Sequence, residues 1–281
     1  MSKIFDCITF YDENFLVNAR FEILKDVVDY FIICESNYDH DGNKKKINFK
    51  LNNQKLQNKV RHIVIEENFP NLEDGWKCEA YQREKILEGL SDSRENDLIM
   101  YSDSDEIPNP NIIKNINLKK KYGIFLQQFF TYKINIFNKY ESPWEGTRIC
   151  RRKDLKSINF MRKKILSKNI NKSFIYFKTE RNIELYQNGG WHFNNLYDVK
   201  TISKKLKVFP HKEFSDSKFS NEAIIENKIS SLIDLFGRGH KYEKIEIDSS
   251  YPEYIIENID KFKNYILWNL KPLFQFIIYT E

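Results

Sequence analysis

Residues 98–108 read Leu98-Ile99-Met100-Tyr101-Ser102-Asp103-Ser104-Asp105-Glu106-Ile107-Pro108. A mostly apolar run, Leu98 to Tyr101, leads into the carboxylates of Asp103, Asp105 and Glu106, and Pro108 stops the segment. The pattern predicts a short buried strand with an Asp-x-Asp pair at its C-terminal edge. In an open α/β sheet that edge is where ligands bind. Two hard oxygen ligands, with room left for waters and phosphate oxygens, suit Mg²⁺ or Mn²⁺ carrying a diphosphate. An acidic turn after a strand gives the same string, and the stretch alone leaves both readings open.

The chain before it favours a sheet. Ile4 to Phe10 reads as a strand, and residues 15–29 carry Phe15, Leu16, Ala19, Phe21, Ile23, Leu24, Val27 and Val28 at helical spacing. Tyr30 to Cys34 is a second buried strand ending in Glu35-Ser36-Asn37, and Val60 to Ile65 is a third. Between them, Asp39 to Gln57 is a polar loop with a short helix. Asp74-Gly75-Trp76 precedes a helix over about 77–90. Strand and helix alternate, and each strand end is polar, as in a parallel nucleotide-binding sheet.

After Pro110 the pattern changes. Ile112 to Leu118 reads as a short helix, and 122–130 and 131–137 as strands rich in aromatic and β-branched residues. Residues 144–185 mix strands with basic triplets, Arg151-Arg152-Lys153 and Arg162-Lys163-Lys164, which read as solvated turns or as a face toward an anionic substrate. Asn188 to Phe193 reads as a turn carrying an aromatic residue and a histidine. Residues 199–206 and 221–236 read as helices, the second capped by Gly237-Arg238-Gly239. Leu273 to Tyr279 reads as a docked terminal element. With no repeat or linker, the expectation is one domain over 1–281, with a nucleotide-binding half (1–110) and an acceptor-binding half (111–281).

Composition narrows the class. The 281 residues are 41% hydrophobic and 15% aromatic, which suits a folded globular protein with a sizeable core. A net charge of +5 is too mild to argue for nucleic acid. Cys7, Cys34, Cys78 and Cys150 show neither a disulfide framework nor zinc spacing, which suits a reducing compartment. No signal peptide and no long apolar span is visible, so a cytoplasmic protein is expected, and the Lys/Asn/Ile bias suggests a bacterial or viral source. The sequence holds no GxxxxGK, GxGxxG, GxSxG or HExxH motif, which disfavours P-loop enzymes, Rossmann dehydrogenases, α/β-hydrolases and zincins.

A metal on Asp103 and Asp105 would neutralise a departing diphosphate, as sugar-nucleotide transfer requires. Of the five histidines, His192 in Gly189-Gly190-Trp191-His192-Phe193 is a candidate third ligand, and His211 a weaker one. The two glycines before His192 would let backbone approach a phosphate closely. A packed structural histidine remains the alternative. Transfer with inversion also needs a carboxylate base near the acceptor hydroxyl, and Glu145, Glu184 and Asp198 are available beyond the metal strand.

At this point the chain resembles glycosyltransferase family 17. The resemblance rests on residues 5–13 (FDCITFYDE), 26–37 (DVVDYFIICESN), Asp74-Gly75-Trp76, Ser102 to Pro108 and Gly189 to Phe193, in order over about 4–240. It implies an α/β fold of GT-A type: a Rossmann-like nucleotide-sugar-binding sheet with helices on both faces and a C-terminal acceptor-side elaboration. It further implies a UDP-sugar donor (UDP-GlcNAc in known members), Mn²⁺ or Mg²⁺, a carbohydrate acceptor and inversion at the anomeric carbon. Asp103, Asp105 and His192 would then hold the metal. Asp103 would lie at the diphosphate, Arg83 near the diphosphate or ribose, and Glu35 and Ser36 at the uridine. The base is not fixed by the resemblance, and Glu145 and Asp198 are the residues carried forward for it. A nucleotidyl- or phosphotransferase using the same carboxylates, or a non-catalytic glycan-binding relative, are the competing readings.

Overall fold

The structure is a computed structural model and describes residues 2–173, 175–176, 178–208 and 217–268. In its first part, β1 (Ile4–Phe10), β2 (Tyr30–Ser36), β3 (Val60–Ile65) and β4 (Leu98–Ser102) pair in parallel in the order β3-β2-β1-β4. The strand order reverses between β1 and β4, and a crevice opens there at the C-terminal ends of the strands. α1 (Asn14–Leu24) packs Val17, Phe21 and Leu24 against Ile8, Phe31, Ile33 and Met100 on one face. On the other face, α2 (Gly75–Lys85) and the 3₁₀ turn Ile86–Leu90 bring Cys78, Ile86 and Leu90 onto Phe5, Cys7, Ile32 and Tyr101. Asp74 caps α2, its Oδ1 accepting the Trp76 amide at 3.0 Å. The expected α/β class, with helices on both faces, is what the chain forms.

β5 (Glu106–Pro108) and α3 (Pro110–Lys114) follow β4, with Asn109 capping α3. β6 (Tyr122–Thr131), β7 (Ile136–Phe137) and β8 (Trp144–Arg151) come next, and β8 lies antiparallel between β4 and β6. α4 (Ile158–Lys164) is capped by Ser157 and buries Ile158 and Met161 beside α2. β9 (Ile183–Tyr186) and β10 (Gly190–Asn194) both run parallel to β6. α5 (Val199–Val208), α6 (Ser217–Ser220), α7 (Glu222–Ser230), β11 (Glu243–Lys244) and α8 (Glu253–Glu257) follow, and a 3₁₀ run, Ile259–Tyr265, comes after them. Ile225, Ile229 and Leu235 pack there with Tyr132 and Tyr242.

Several expectations need correction. α1 stops at Leu24 rather than 29, because the amides of Val27 and Val28 both turn back to the Leu24 carbonyl and Asp29 already bonds to Ile4. No strand spans 131–137: Tyr132 takes φ 64°, which breaks the extended run and leaves only Ile136–Phe137. The helix expected over 221–236 ends at Ser230, with Leu232 at φ 60°. Arg162-Lys163-Lys164 is the last turn of α4 and not a solvated turn, so its cations sit at the favourable end of the helix dipole. Asn188 to Phe193 is a turn only at its start, since Gly190 opens β10. All four cysteines are buried free thiols. Among the described residues no helix is long and apolar enough to cross a membrane. His211 and Leu273 to Tyr279 lie outside the described residues.

Candidate active site

β4 is buried along its whole length and delivers Asp103 to the crevice. Its neighbour Tyr101 donates to Asp103 Oδ1 at 3.2 Å and accepts from Arg83 Nε of α2 at 3.0 Å. The Arg83 guanidinium lies 4.0 Å from Asp103, and Arg162 of α4 bonds directly to Asp103 Oδ2. Burial works against the charge on Asp103, but Arg162 and Arg83 outweigh it and hold the carboxyl below its ordinary value. Arg83, expected near the diphosphate or ribose, lies beside Asp103, the first aspartate of the motif.

β5 then pairs antiparallel with β10, matching Gly190 to Pro108, Trp191 to Ile107 and His192 to Glu106. The two motifs singled out in the sequence are therefore neighbouring strands, and the Phe193 amide bonds to the Asp105 carbonyl at 2.9 Å. His192 Nε2 comes to 3.3 Å from Asp105 Oδ2. The ring is 4% exposed and walled by Phe129 and Trp144, with centroids 4.4 and 5.0 Å away. Burial would lower its pKa, but the Asp105 charge and hydrogen bond raise it. Its Nδ1 is buried with no hydrogen-bond partner among the described residues.

The glycines before His192 serve a purpose other than the one expected. A Cβ on Gly189 would lie 2.5 Å from the Leu126 nitrogen, and one on Gly190 would lie 2.1 Å from the Ile107 oxygen. The close approach is to the chain's own backbone in β5 and β6, so phosphate contact is not what demands glycine there. Gly190, at φ 129°, is also in the range that favours glycine.

Several residues that shape the site were given no role in it from the sequence. Glu106 is fully buried: its Oε1 accepts from Trp144 Nε1 at 2.7 Å and from Arg162 at 2.9 Å, and its Oε2 accepts the Asp103 amide at 3.1 Å. Arg162 thus bridges Glu106 and Asp103. Arg20 of α1 bonds Asp6, Ser102 Oγ and the Glu106 carbonyl. Half of the signal for that ion pair was present, as Asp6 is the lone charge in β1. Ser102 continues the network to Thr147 at 2.7 Å, and Thr147 accepts from Gln127 at 3.2 Å.

Other candidates fall elsewhere. Glu35 is buried and spends its carboxylate on the Asn48 and Phe49 amides, Lys45 and His62, so the side chain anchors the loop after β2. Ser36 Oγ accepts the Tyr38 amide at 3.0 Å. Glu145 is held by Ser167 and by Arg148. Glu184 accepts the Lys119 amide, and exposed Asp198 caps α5 through the Thr201 amide at 2.7 Å. None of these three base candidates lines the small cavity beside Asp105, which is formed by Asp12, Glu13, Phe15, Asn195, Tyr197 and their neighbours.

For a divalent cation the donor chemistry fits in part. Two ligands at right angles around a Mg²⁺ or Mn²⁺ ion lie about 3 Å apart, close to the Asp105–His192 separation of 3.3 Å. Among the described residues, no three His, Cys, Asp or Glu side chains converge into a finished metal centre. Asp103 is drawn onto Arg162 and would have to turn from it to join the other two.

Comparison with known proteins places these features in context. The model of glycosyltransferase family 17 matches residues 1–149. The chain is 25% identical to the rat β-1,4-mannosyl-glycoprotein 4-β-N-acetylglucosaminyltransferase over an alignment of 302 residues, covering 95% of this chain and 55% of that protein. To the human protein of the same name it is 31% identical over 117 residues, 38% of this chain and 22% of the other. The chain thus spans about half the length of the rat relative. Among solved structures it has a distant likeness, TM-score 0.37 and 10% identity over 91% of both chains, to glucosyl-3-phosphoglycerate synthase from Mycobacterium tuberculosis in complex with Mn²⁺, UDP-glucose and phosphoglyceric acid.

Proposed function

The chain belongs to glycosyltransferase family 17, and on that premise we propose that it transfers a sugar, GlcNAc, from a UDP-sugar to a glycan hydroxyl with inversion. In this reading residues 1–110 form the donor half of one domain and 111–281 the acceptor half. The observation that carries it is the pairing of β5 with β10, which sets His192 against Asp105 at the crevice where the strand order reverses.

Asp103, Asp105 and His192 would hold Mn²⁺ or Mg²⁺, which would stabilise the charge on the leaving diphosphate. Arg83 and Arg162 supply two further cations beside Asp103. They favour an anionic donor in the same place, because guanidinium groups bind phosphate oxygens bidentately. Trp144, Glu106 and Arg20 hold the turn that presents the carboxylates. In the transfer itself, the acceptor oxygen bonds to the anomeric carbon as the bond from that carbon to the diphosphate oxygen breaks. UDP leaves with the bonding pair and the hydroxyl proton passes to a carboxylate. The name of the rat and human relatives points to a β-mannoside as acceptor.

The direct test needs no acceptor. A panel of nucleotide sugars is screened by thermal shift with and without Mn²⁺. UDP-GlcNAc or UDP with Mn²⁺ is expected to raise the melting temperature more than either component alone. A calorimetric titration showing no UDP binding in the presence of Mn²⁺ would overturn the reading.

A further inference from the structure

We propose that Glu13 is the general base of the transfer and that Tyr197 positions it. The inference rests on the transferase reading above and adds the residue which that reading leaves open. A cavity of about 70 Å³ lies at the crevice between β1 and β4. Three segments build its polar wall: Asp12 and Glu13 follow β1, Asp105 lies in the turn after β4, and Asn195 and Tyr197 follow β10. The carboxylates of Asp12 and Glu13 therefore share one small cavity with Asp105, the second aspartate of the Asp-x-Asp motif. The volume admits roughly two water-sized groups, enough for a hydroxyl and the carbon that carries it.

Glu13 is held from two sides. Its Oε1 accepts from the Tyr197 hydroxyl, and its Oε2 accepts the Asp12 amide at 3.0 Å. Tyr197 reaches it through a sharp turn after β10, with Asn195 at φ 53° and the Tyr197 amide returning to the Asn195 carbonyl at 2.8 Å. Burial, then the Glu13 charge, push the Tyr197 hydroxyl up, which keeps it protonated and donating. A carboxylate oriented by a third group is the arrangement that a general base needs. In the step assigned to it, the acceptor O–H proton moves to the Glu13 carboxylate while the O–C1 bond forms and the bond from C1 to the diphosphate oxygen breaks. Asp12, more exposed than Glu13, is the weaker choice, and Asp105 is committed to His192.

The test uses the full chain with UDP-GlcNAc and Mn²⁺, reading UDP release with water and with an octyl β-mannoside as acceptor. Glu13→Gln is expected to lower kcat by about 100-fold or more, with the Kd for UDP and Mn²⁺ unchanged within about twofold and the acid limb of the pH–rate profile removed. Tyr197→Phe is expected to lower kcat by about tenfold without changing that Kd, and Glu13→Asp to restore part of the activity. Turnover of Glu13→Gln within about threefold of the parent would overturn the proposal, as would loss of UDP binding together with turnover, which would make Glu13 a donor ligand. If Glu13→Gln fails to fold, an unchanged kcat in Tyr197→Phe and Glu13→Asp overturns it equally. A parent chain that binds no UDP removes the transferase reading itself.

Discussion

The guanidinium of Arg20 grips the carboxylate of Asp6 at both oxygens, at 2.7 and 2.6 Å, with both side chains buried. Two further donors of Arg20 go to Ser102 Oγ at 2.9 Å and to the Glu106 carbonyl. Those two residues bracket Asp103-Ser104-Asp105, so one ion pair between α1 and β1 fixes both ends of the Asp-x-Asp turn. Removing one partner leaves the other charge buried without compensation, which costs about 3–5 kcal/mol. Asp6→Asn is therefore expected to lower the melting temperature by roughly 10 °C and to weaken UDP binding. A shift under about 2 °C in thermal denaturation would contradict this.

Gly190 gives a second prediction. Its Cβ position is blocked by the Ile107 carbonyl at 2.1 Å, and its φ is 129°. Gly190→Ala has to spread β10 from β5, at a cost of about 2–3 kcal/mol. Denaturant unfolding should show that loss in the midpoint, with an unchanged slope. A neutral Ala would mean that the two strands do not approach so closely.

Asp105 separates activity from stability. It is partly exposed, and its side chain faces His192 rather than the core. Asp105→Asn should leave the melting temperature of the free chain within a few degrees. It should lower UDP release by about 100-fold or more and erase the added stabilisation by Mn²⁺ with UDP. Full turnover in this variant would remove the carboxylate from the mechanism.

Glu35 supplies the pH dependence. Burial opposes its charge, but hydrogen bonds from His62, the Asn48 amide, Lys45 and the Phe49 amide win, and its carboxyl sits below its ordinary 4.5. A carboxyl depressed in the folded chain stabilises the fold above its unfolded value and loses that contribution as the pH falls through its folded value. The parent should lose stability between about pH 5 and pH 3. Glu35→Gln should be less stable at pH 7, by about 2 kcal/mol, and should lose less on acidification. Equal acid profiles for the two chains would show that Glu35 does not anchor the loop as a carboxylate.

Three strands of the parallel half, β1, β2 and β4, were legible from sequence because they are buried on both faces. Residues 31–34 and 98–101 stand as continuous apolar runs that only a covered strand explains, whereas β3 is partly exposed and carries Arg61 and His62. Arg162 was not legible, because a basic triplet at a helix end looks the same whether it faces water or a carboxylate. Glu106 was hidden in the open, inside a motif whose aspartates drew the chemical reading. Glu13 lies in an ordinary polar strand end, and its interest comes only from a tyrosine far along the chain.

Sequence by itself determined the alternation of strand and helix, the acidic end of β4 and the presence of a histidine motif able to serve it. Those properties are local: periodicity, burial and residue type act over a few positions. Only the tertiary structure decided that Gly189 and Gly190 yield to backbone, that Arg20 brackets the Asp-x-Asp turn, and that His192 meets Asp105. Each depends on strand register between distant segments, where a one-residue slip would turn every side chain to the opposite face.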